Sequence, residues 1–235
     1  MKAFVQKILK SCAVGRLVYE PLHKLYRLYS VPARRRRLRK HGKEVLSYLF
    51  ETFNKHNIPG YVACGTLLGF VRDGGFMPHD DDIDVAILPG EWTPVRVLKT
   101  MMSEGFEYVL GFAYGGKISE FKLRYRGVPI DFFFYDDDGE HFNSHVYYYW
   151  PDVKYPTPQA NTVVKFPEMR IHGLTTIDVY GVKVSVPERP EEACADHFGP
   201  TWNVPQAGYD GSKNTRLVPL PGFGYSVTLE EALKL

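Results

Sequence analysis

The sequence predicts an α+β fold in which a mixed central sheet is flanked by helices. Apolar residues repeat at the helical period of about 3.6 residues over residues 43–57. Two short apolar runs, Asp82–Leu88 and Val128–Tyr135, are bounded by turn-forming or polar residues, which is typical of buried strands. With 235 residues the chain is long enough for one sizeable core. We expect a single folded domain over residues 44–235, preceded by a separate segment, residues 1–43.

Charge divides the chain into a basic segment and an acidic body. Residues 1–43 contain 13 lysines and arginines and a single acid, Glu20, whereas residues 44–235 contain 16 basic and 26 acidic residues. The basic segment has apolar residues at helical spacing and a run of cations from Arg34 to Lys40. A basic amphipathic helix is typical of a surface that lies on an anionic membrane, where each Lys or Arg contributes about 1 kcal/mol. We therefore expect residues 1–43 to associate with an anionic membrane surface.

Two alternatives for residues 1–43 remain open. The segment could be a solvated basic helix or a disordered arm that binds nothing. Arginine runs also neutralise the phosphate backbone of nucleic acids. Nucleic acid is the less favoured partner, because the body of the chain is acidic and carries no recognisable nucleic-acid-reading motif.

The cysteine pattern indicates a reducing compartment, and the apolar runs indicate neither a secretory signal nor a membrane span. Cys12, Cys64 and Cys194 lie too far apart for a thiolate zinc motif, and their odd number does not indicate a disulfide framework. Cys64 is most simply a buried core residue. No apolar run suits a secretory signal, and none reaches the roughly 18 residues of a membrane span. We expect a cytoplasmic protein that is peripheral on the inner face of the membrane.

The remaining elements of the first half follow from periodicity and turn residues. Asn57 to Gly60 ends the first helix, and Gly74 with Gly75 separates a short helix from the Asp82–Leu88 strand. The further predicted elements are the strand Tyr61–Cys64, the helices Thr66–Arg72 and Trp92–Glu104, and the strands Phe106–Leu110 and Lys117–Tyr125.

The second half has weaker signals. Residues 136–180 are rich in Tyr, Pro and His, and we expect irregular structure with short strands there. A strand is predicted at Val182–Val186 and a helix at Pro190–Phe198, followed by a turn and a meandering tail. Aromatic side chains of the irregular region could stack on a nucleobase or sugar, although such residues more often belong to the core. They are His141, His145 and the run Tyr147–Trp150.

Three aspartates predict a cation site. Asp82 and Asp84 are two apart on one strand and so share a face, while Asp131 lies within a second core strand. Three carboxylates together repel one another unless a hard cation neutralises them. Mg²⁺ is the expected occupant, with Mn²⁺ as the alternative, because it prefers oxygen ligands and bridges carboxylates to phosphates. The plainer alternative, aspartates that cap helices or coat a loop, does not explain Asp131.

A phosphate-binding element accompanies the aspartates. Gly65 and Thr66 begin a helix, where free backbone N–H groups and a hydroxyl can hold phosphate oxygens. Arg72, at the end of that helix, is a candidate for a charge-assisted phosphate contact, with a salt bridge to Asp80 or Asp81 as its alternative. Lys122 and Arg124 are weaker candidates for the same contact. Together with the cation site, these residues indicate phosphoryl or nucleotidyl transfer.

The motifs resemble the LicD/fukutin family of the nucleotidyltransferase-fold superfamily. The resemblance covers roughly residues 44–205. It rests on the runs Cys64–Gly69, Val71-Arg72, Gly75-Phe76, Pro78 and Asp80–Asp84, on Pro129–Phe133, and on Val186-Pro187 through His197–Trp202. His79 departs from the pattern, since the family usually carries tryptophan there. Because Asp80, Asp82 and Asp84 are kept, we expect activity to survive, with His79 altering the fit of the donor.

The resemblance implies a polymerase-beta-like nucleotidyltransferase fold and a metal-dependent transferase. Such proteins move a phospho-alcohol, such as phosphocholine or a polyol phosphate, from a CDP-linked donor to a hydroxyl of a cell-surface glycan or glycolipid. That would place the protein in the biosynthesis of lipopolysaccharide, capsule or teichoic acid. Under this hypothesis Asp82 and Asp84 hold the metal, Asp131 completes its shell and serves as general base, and Gly65, Thr66 and Arg72 bind donor phosphates.

Two other classes of function stay open. The same fold could transfer a nucleotide to a protein or a small molecule. It could also serve as a non-catalytic, membrane-associated scaffold, although such a protein would not need to keep Asp82, Asp84 and Asp131 together.

Overall fold

The computed structural model describes residues 13–150, 152–206 and 211–235. The first part of the predicted basic segment, residues 1–12, lies outside the described residues. The strands are β1 (Gly60–Val62), β2 (Ile83–Ile87), β3 (Glu107–Tyr114), β4 (Lys117–Tyr125), β5 (Val128–Phe134), β6 (Asp136–Asp137), β7 (Phe142–Tyr148), β8 (Ala160–Glu168), β9 (Leu174–Val179), β10 (Val182–Pro187), β11 (Val218–Pro219) and β12 (Gly224–Val227). The helices are α1 (Ala13–His56), α2 (Cys64–Arg72), α3 (Pro94–Ser103), α4 (Pro190–Phe198) and α5 (Leu229–Ala232), with a 3₁₀ turn at Gly211–Lys213.

A large mixed sheet dominates the described part of the chain, which confirms the predicted α+β class. Its strand order is β1-β2-β5-β4-β3-β12-β8-β7-β6, and β11 pairs with β8. The neighbours β2 and β5 are parallel, whereas the other pairs in this sheet are antiparallel. A separate hairpin joins β9 to β10. The central position of β5 agrees with its nearly continuous apolar sequence, because a strand covered on both faces needs no polar alternation.

Helix α1 is longer than the sequence predicts. Within the described residues, the helix expected from residue 43 already spans Ala13–His56, so no helix end falls at the expected segment boundary. It is followed by Asn57, whose φ of 55° is a left-handed conformation that asparagine tolerates. Its buried face packs on the sheet through Leu38, Val45, Leu46, Leu49 and Phe53. The ring of Phe53 meets that of Phe132 edge-on at 6.2 Å.

Two predictions for the second half were wrong. The region 136–180 is mostly paired strand, because β7 and β8 form a seven-residue register that local sequence patterns do not reveal. The tail is not a meander, since β12 inserts between β3 and β8 and joins the two halves of the sheet. Gly224 permits this insertion, because a Cβ there would lie 2.3 Å from the ring of Tyr147. Thr228 and Glu231 form a capping box that starts α5.

Candidate active site

Three charged side chains form a row across the neighbouring strands β2, β5 and β4. Asp84 is the register partner of Asp131, and Asp131 is the register partner of Lys122. Register partners on adjacent strands point their side chains to the same face of a sheet. The Lys122 ammonium lies 2.9 Å from Asp131 Oδ2 and 3.3 Å from Asp82 Oδ2. The structure thus brings the three predicted aspartates to one region and adds Lys122 to them.

The start of α2 holds Asp84 in place. The backbone N–H of Asp84 donates to Thr66 Oγ1 at 2.8 Å, and its carbonyl accepts the Ala63 N–H at 3.0 Å. The Thr66 N–H in turn donates to Asp84 Oδ2 at 3.3 Å. Thr66 is only 1% exposed, so its hydroxyl and N–H groups make their hydrogen bonds within the chain. A Cβ added at Gly65 would lie 3.4 Å from Asp84 Oδ2, so the backbone of Gly65 lies close to that carboxylate.

The chain turns sharply into α2 at Cys64. Its φ is 47°, a left-handed conformation that is uncommon for residues other than glycine, asparagine and aspartate. Cys64 was predicted to be a buried core residue, but its overall exposure is intermediate, while Cys194 is buried. Burial of the thiol raises the pKa of Cys64 well above its usual value, and the charges of Asp84 and Glu168 raise it further.

Several carboxyl groups in and beside the row have raised pKa values, so this region favours the binding of protons or cations. Burial raises the pKa of Asp84 well above its usual range, with further contributions from Asp82 and Asp131. Burial likewise raises the pKa of Asp131 to about 7 and that of Glu120 to about 8. Burial lowers the pKa of Lys122, but the charges of Asp131 and Asp82 outweigh it and raise that pKa above its usual value. Four acids therefore share one ammonium group.

Glu120 is a site residue that the sequence analysis missed. It lies two residues before Lys122 on β4 and therefore on the same face of the sheet. A signal for this face was available in the charged residues at every second position of β4, namely Glu120, Lys122 and Arg124. The same pattern is also typical of a strand whose charged face is exposed to solvent. Only the register of β4 against β5 identifies the face that carries Asp131.

The carboxylate oxygens of this region are the ligands that hard cations prefer, but they are not arranged as a complete metal site. Within the described ranges, no three His, Cys, Asp or Glu side chains are placed to hold a metal ion together. Asp131 Oδ1, however, is buried without a hydrogen-bond partner, and the acids outnumber the nearby cation Lys122. Oxygen donors in excess of positive charge suit Mg²⁺ or Mn²⁺. The residues present therefore fit such an ion if Lys122 moves aside or shares the acids with it.

Arginines of α1 hold the loop that leads to Asp82. Arg34 Nε donates to Asp81 Oδ2 at 2.6 Å, and Arg35 Nε donates to the His79 carbonyl at 3.0 Å. Arg39 donates to the Pro78 carbonyl at 3.1 Å. These three cations belong to the run that the sequence analysis assigned to membrane binding. At least part of that run packs against the candidate site.

We expect Arg34→Ala to weaken metal use more than folding. The ion pair is partly exposed, with 30% and 20% of the two side chains accessible, so its stabilisation is about 1 kcal/mol at most. The Asp81 loop would lose its anchor next to Asp82, and the Mg²⁺ concentration for half-maximal turnover should rise roughly tenfold, the order of loss when a residue that orients a metal ligand is mutated. Turnover would be titrated with Mg²⁺ in lipid-free buffer.

The control for Arg34→Ala is Arg36→Ala. Arg36 is exposed on the same helix, and none of the loop contacts described above involves it. Equal Mg²⁺ requirements in the two variants would contradict an anchoring role for Arg34.

The other predicted phosphate contacts are engaged within the chain. Arg72 pairs with Asp73 at 2.7 Å, so the alternative salt bridge to Asp80 or Asp81 was wrong. Asp80 instead accepts the Met77 N–H at 2.7 Å, and burial raises the pKa of Asp80 to about 6. Arg124 pairs with Glu107 at 2.9 Å.

The aromatic residues proposed for stacking divide into two groups. His145 is buried and its ring lies 5.6 Å from that of Tyr114. Tyr147 stacks on Phe112 at 4.7 Å and makes a short hydrogen bond with Ser119, so both belong to the packing of the sheet. Trp150 is 42% exposed and remains accessible.

A cleft of about 700 Å³ opens beside Gly65. It is lined by Gly65, Leu68, Arg72, Met77, His79, Asp80, His197, Phe198, Thr201, Trp202, Val204, Pro205 and Gln206. The lining combines one arginine, two histidines, one acid and the rings of Phe198 and Trp202, so that a few polar groups lie among apolar ones, as in many ligand sites. Exposed His79 and half-buried Arg72 face this space, together with α4 and the turn after it.

Comparison with known proteins identifies the family of this chain. Residues 57–189, more than half of the chain, match the family model described as "LicD/FKTN/FKRP, nucleotidyltransferase domain". The chain belongs to this family. The matched range contains β1 through β10, and therefore α2 and the row of Asp84, Asp131 and Lys122. Membership confirms the resemblance identified from the sequence motifs.

Named relatives within the LicD/FKTN/FKRP family are distant. The chain is similar to ribitol-5-phosphate transferase FKTN of Mus musculus and of Homo sapiens, each at 24% identity, over 73% and 75% of this chain. The matched regions are 35% and 36% of those proteins, so the chain spans about a third of their length. It is also 42% identical to uncharacterized protein RP689 of Rickettsia prowazekii (strain Madrid E), over 20% of each chain.

Proposed function

We propose that this protein transfers a phospho-alcohol, phosphocholine or a polyol phosphate, from a CDP-activated donor to a hydroxyl of a glycan. The observation that carries the proposal is the row of Asp84, Asp131 and Lys122, joined by Asp82, in a chain of the LicD/FKTN/FKRP family. The activity for which its FKTN relatives are named, ribitol-5-phosphate transfer, supports a polyol phosphate as the transferred group. The polymerase-beta-like form of the nucleotidyltransferase fold is part of the same proposal.

Each site residue has a role in this proposal. Asp82, Asp84 and Asp131 would hold Mg²⁺ or Mn²⁺, which when bound supplies positive charge at the donor diphosphate. Asp84 is already oriented by Thr66, so its carboxylate is fixed before any ligand binds. The backbone of Gly65 lies beside that carboxylate and would contact a phosphate oxygen.

Arg72 and the cleft would bind the rest of the donor. The Arg72 guanidinium lines the cleft while paired with Asp73, whose side chain is 37% exposed. A donor phosphate would therefore compete with a partly solvated carboxylate, which binds an arginine weakly. Phe198 and Trp202, on the same wall, offer aromatic faces to a nucleobase or a sugar ring. These rings replace Tyr147 as stacking candidates.

The proton acceptor needs a separate assignment. The sequence analysis gave this role to Asp131, but Asp131 is 8% exposed and paired with Lys122. A general base must come within hydrogen-bond reach of the acceptor hydroxyl. Asp131 is better suited to metal binding, because it does not line the cleft and its Oδ1 is buried without a hydrogen-bond partner.

A donor panel tests the proposal. The purified 235-residue chain would be incubated with Mg²⁺ and CDP-choline, CDP-ribitol or CDP-glycerol, with and without glycan acceptors. Release of CMP that depends on acceptor, together with a glycan gaining the mass of the alcohol phosphate, is the expected result. Release of pyrophosphate from a nucleoside triphosphate would instead identify a nucleotidyltransferase. Absence of both would favour a scaffold.

We also propose that α1 places the enzyme on the cytoplasmic face of an anionic membrane. In the helices that the structure describes, none is both long and apolar enough to cross a bilayer. Leu25, Leu28 and Tyr29 are 49%, 70% and 74% exposed, and their spacing puts them on one face of α1. An exposed apolar face beside basic residues supports binding in the plane of the interface.

Leu28→Gln with Tyr29→Gln should release the protein from anionic vesicles. Losing two inserted apolar side chains at about 1.5 kcal/mol each would lower the partition coefficient by roughly 100-fold. Co-sedimentation with vesicles containing phosphatidylserine measures the bound fraction. Val218→Gln, at an exposed apolar position outside α1, is the matched control. Retained sedimentation of the double variant would contradict membrane binding through this face.

A further inference from the structure

A hydrogen-bonded pair of His197 and Glu168 lies where His197 lines the cleft. His197 Nδ1 makes a short hydrogen bond with Glu168 Oε1, although the two residues are 29 positions apart. Glu168 ends β8, and His197 lies in the last turn of α4. The side chains are 23% and 13% exposed, so the pair is largely shielded from solvent. The sequence analysis assigned neither residue a role.

The imidazole is fixed in orientation. The ring of Phe166 meets it edge-on at 5.0 Å, and the ring of Phe198 lies 4.4 Å away. Because Nδ1 is engaged by Glu168, the nitrogen available to a ligand is Nε2. His197 lines the cleft that also contains Gly65 and Asp80. A histidine with one nitrogen held by a carboxylate and the other directed to a ligand site has the arrangement of a general base.

Glu168 lines a small pocket that shares His197 and Phe198 with the cleft. The pocket is lined by both members of the pair and by Cys64, at the start of α2. Glu168 Oε2 is buried there without a hydrogen-bond partner in the described structure. The other oxygen, Oε1, makes the hydrogen bond with His197 Nδ1. The carboxylate is therefore placed to hold the imidazole ring in one orientation.

We propose that His197, oriented by Glu168, accepts the proton of the acceptor hydroxyl. This inference rests on the proposed function. His197 Nε2 takes the hydroxyl proton as the acceptor oxygen attacks the phosphorus that carries the alcohol. The bond between that phosphorus and the bridging oxygen breaks, CMP departs with the bond electrons, and the imidazolium later releases its proton to solvent. Glu168 is a positioning residue in this scheme.

His197→Ala tests the assignment by chemical rescue. We expect acceptor-dependent transfer to fall by about 10²–10³-fold, the usual loss for a general base. Free imidazole should restore part of the rate, because the shortened side chain leaves space that opens into the cleft. Should the alanine variant fail to fold, His197→Gln keeps a hydrogen-bonding side chain for Glu168 but has no basic nitrogen, and should show the same loss.

A second His–Glu pair provides the matched control. His56 Nε2 lies 2.6 Å from Glu104, and neither residue lines the cleft. His56→Ala should leave transfer unchanged and should not respond to imidazole. A folded His197→Ala enzyme that keeps the wild-type rate, or whose loss imidazole does not repair, would overturn the assignment. If the wild-type protein transferred no alcohol phosphate in the donor panel, the proposed function itself would be refuted. The His197 variants test only the proton acceptor, so the two failures can be told apart.

Discussion

Asp84→Asn should abolish turnover while leaving the protein at least as stable as the wild type. The substitution removes one of the proposed metal oxygens, and we expect turnover to fall by about 10³-fold, the scale of a lost electrostatic contact to the transition state. Asparagine retains an oxygen that can accept the Thr66 N–H, so the start of α2 should keep its geometry. Asp82→Asn should show a comparable loss.

The stability part of this prediction follows from the pKa of Asp84. Burial and its acidic neighbours raise that pKa above its unfolded value. Such a carboxyl group destabilises the fold as pH rises from the unfolded pKa toward the folded one, and this cost persists at neutral pH. Asn carries no charge, so thermal unfolding in EDTA should occur at the same temperature or higher.

Asp152→Asn is the control for Asp84→Asn, since Asp152 is exposed and lies outside the cleft lining. Turnover and unfolding temperature would be measured on the same preparations. Metal-dependent turnover at the wild-type rate in Asp84→Asn would refute the metal assignment. A lower unfolding temperature in EDTA would contradict the electrostatic argument.

Local sequence signals located the first half of the fold and the acids within it. The helix Pro190–Phe198 was predicted to the residue, because proline at its start and Gly199 after its end are strong boundary signals. Strand β5 was recognised from its aromatic run. Asp84 and Asp131 could be expected on neighbouring strands, because each interrupts an apolar strand where a lone acid would be costly.

The contacts that complete the site could not be read from local patterns. Arg34 and Asp81 are 47 positions apart, and Glu168 and His197 are 29 apart. Periodicity tells which face of an element is buried, but it carries no information on which distant element covers that face. Arg34, Arg35 and Arg39 illustrate this limit of local patterns. Their place in a basic run predicts a membrane-binding surface, whereas their contacts are with the loop before Asp82.

Lys122 should decide whether the acid row is held together by an internal cation or by a metal ion. Lys122→Met would leave Asp131 and Asp82 without their ammonium partner. Removing one member of a buried pair costs about 3–5 kcal/mol, and the partial exposure of Lys122 reduces this to about 2 kcal/mol. For a chain of this length, we expect the unfolding temperature in EDTA to fall by roughly 4–8 °C.

Mg²⁺ should repair that loss in the Lys122→Met variant more than it stabilises the wild type. An ion that binds the folded state at about 100 times its dissociation constant adds about 2.7 kcal/mol, and without Lys122 it meets no competing charge. Arg124→Met is the matched control on the same strand, because its partner Glu107 is 67% exposed and that pair contributes little. Unfolding would be followed in EDTA and in Mg²⁺ for all three proteins. If Mg²⁺ stabilised Lys122→Met no more than Arg124→Met, the ion would not bind among these acids, and Lys122 itself would be the cation around which the row is built.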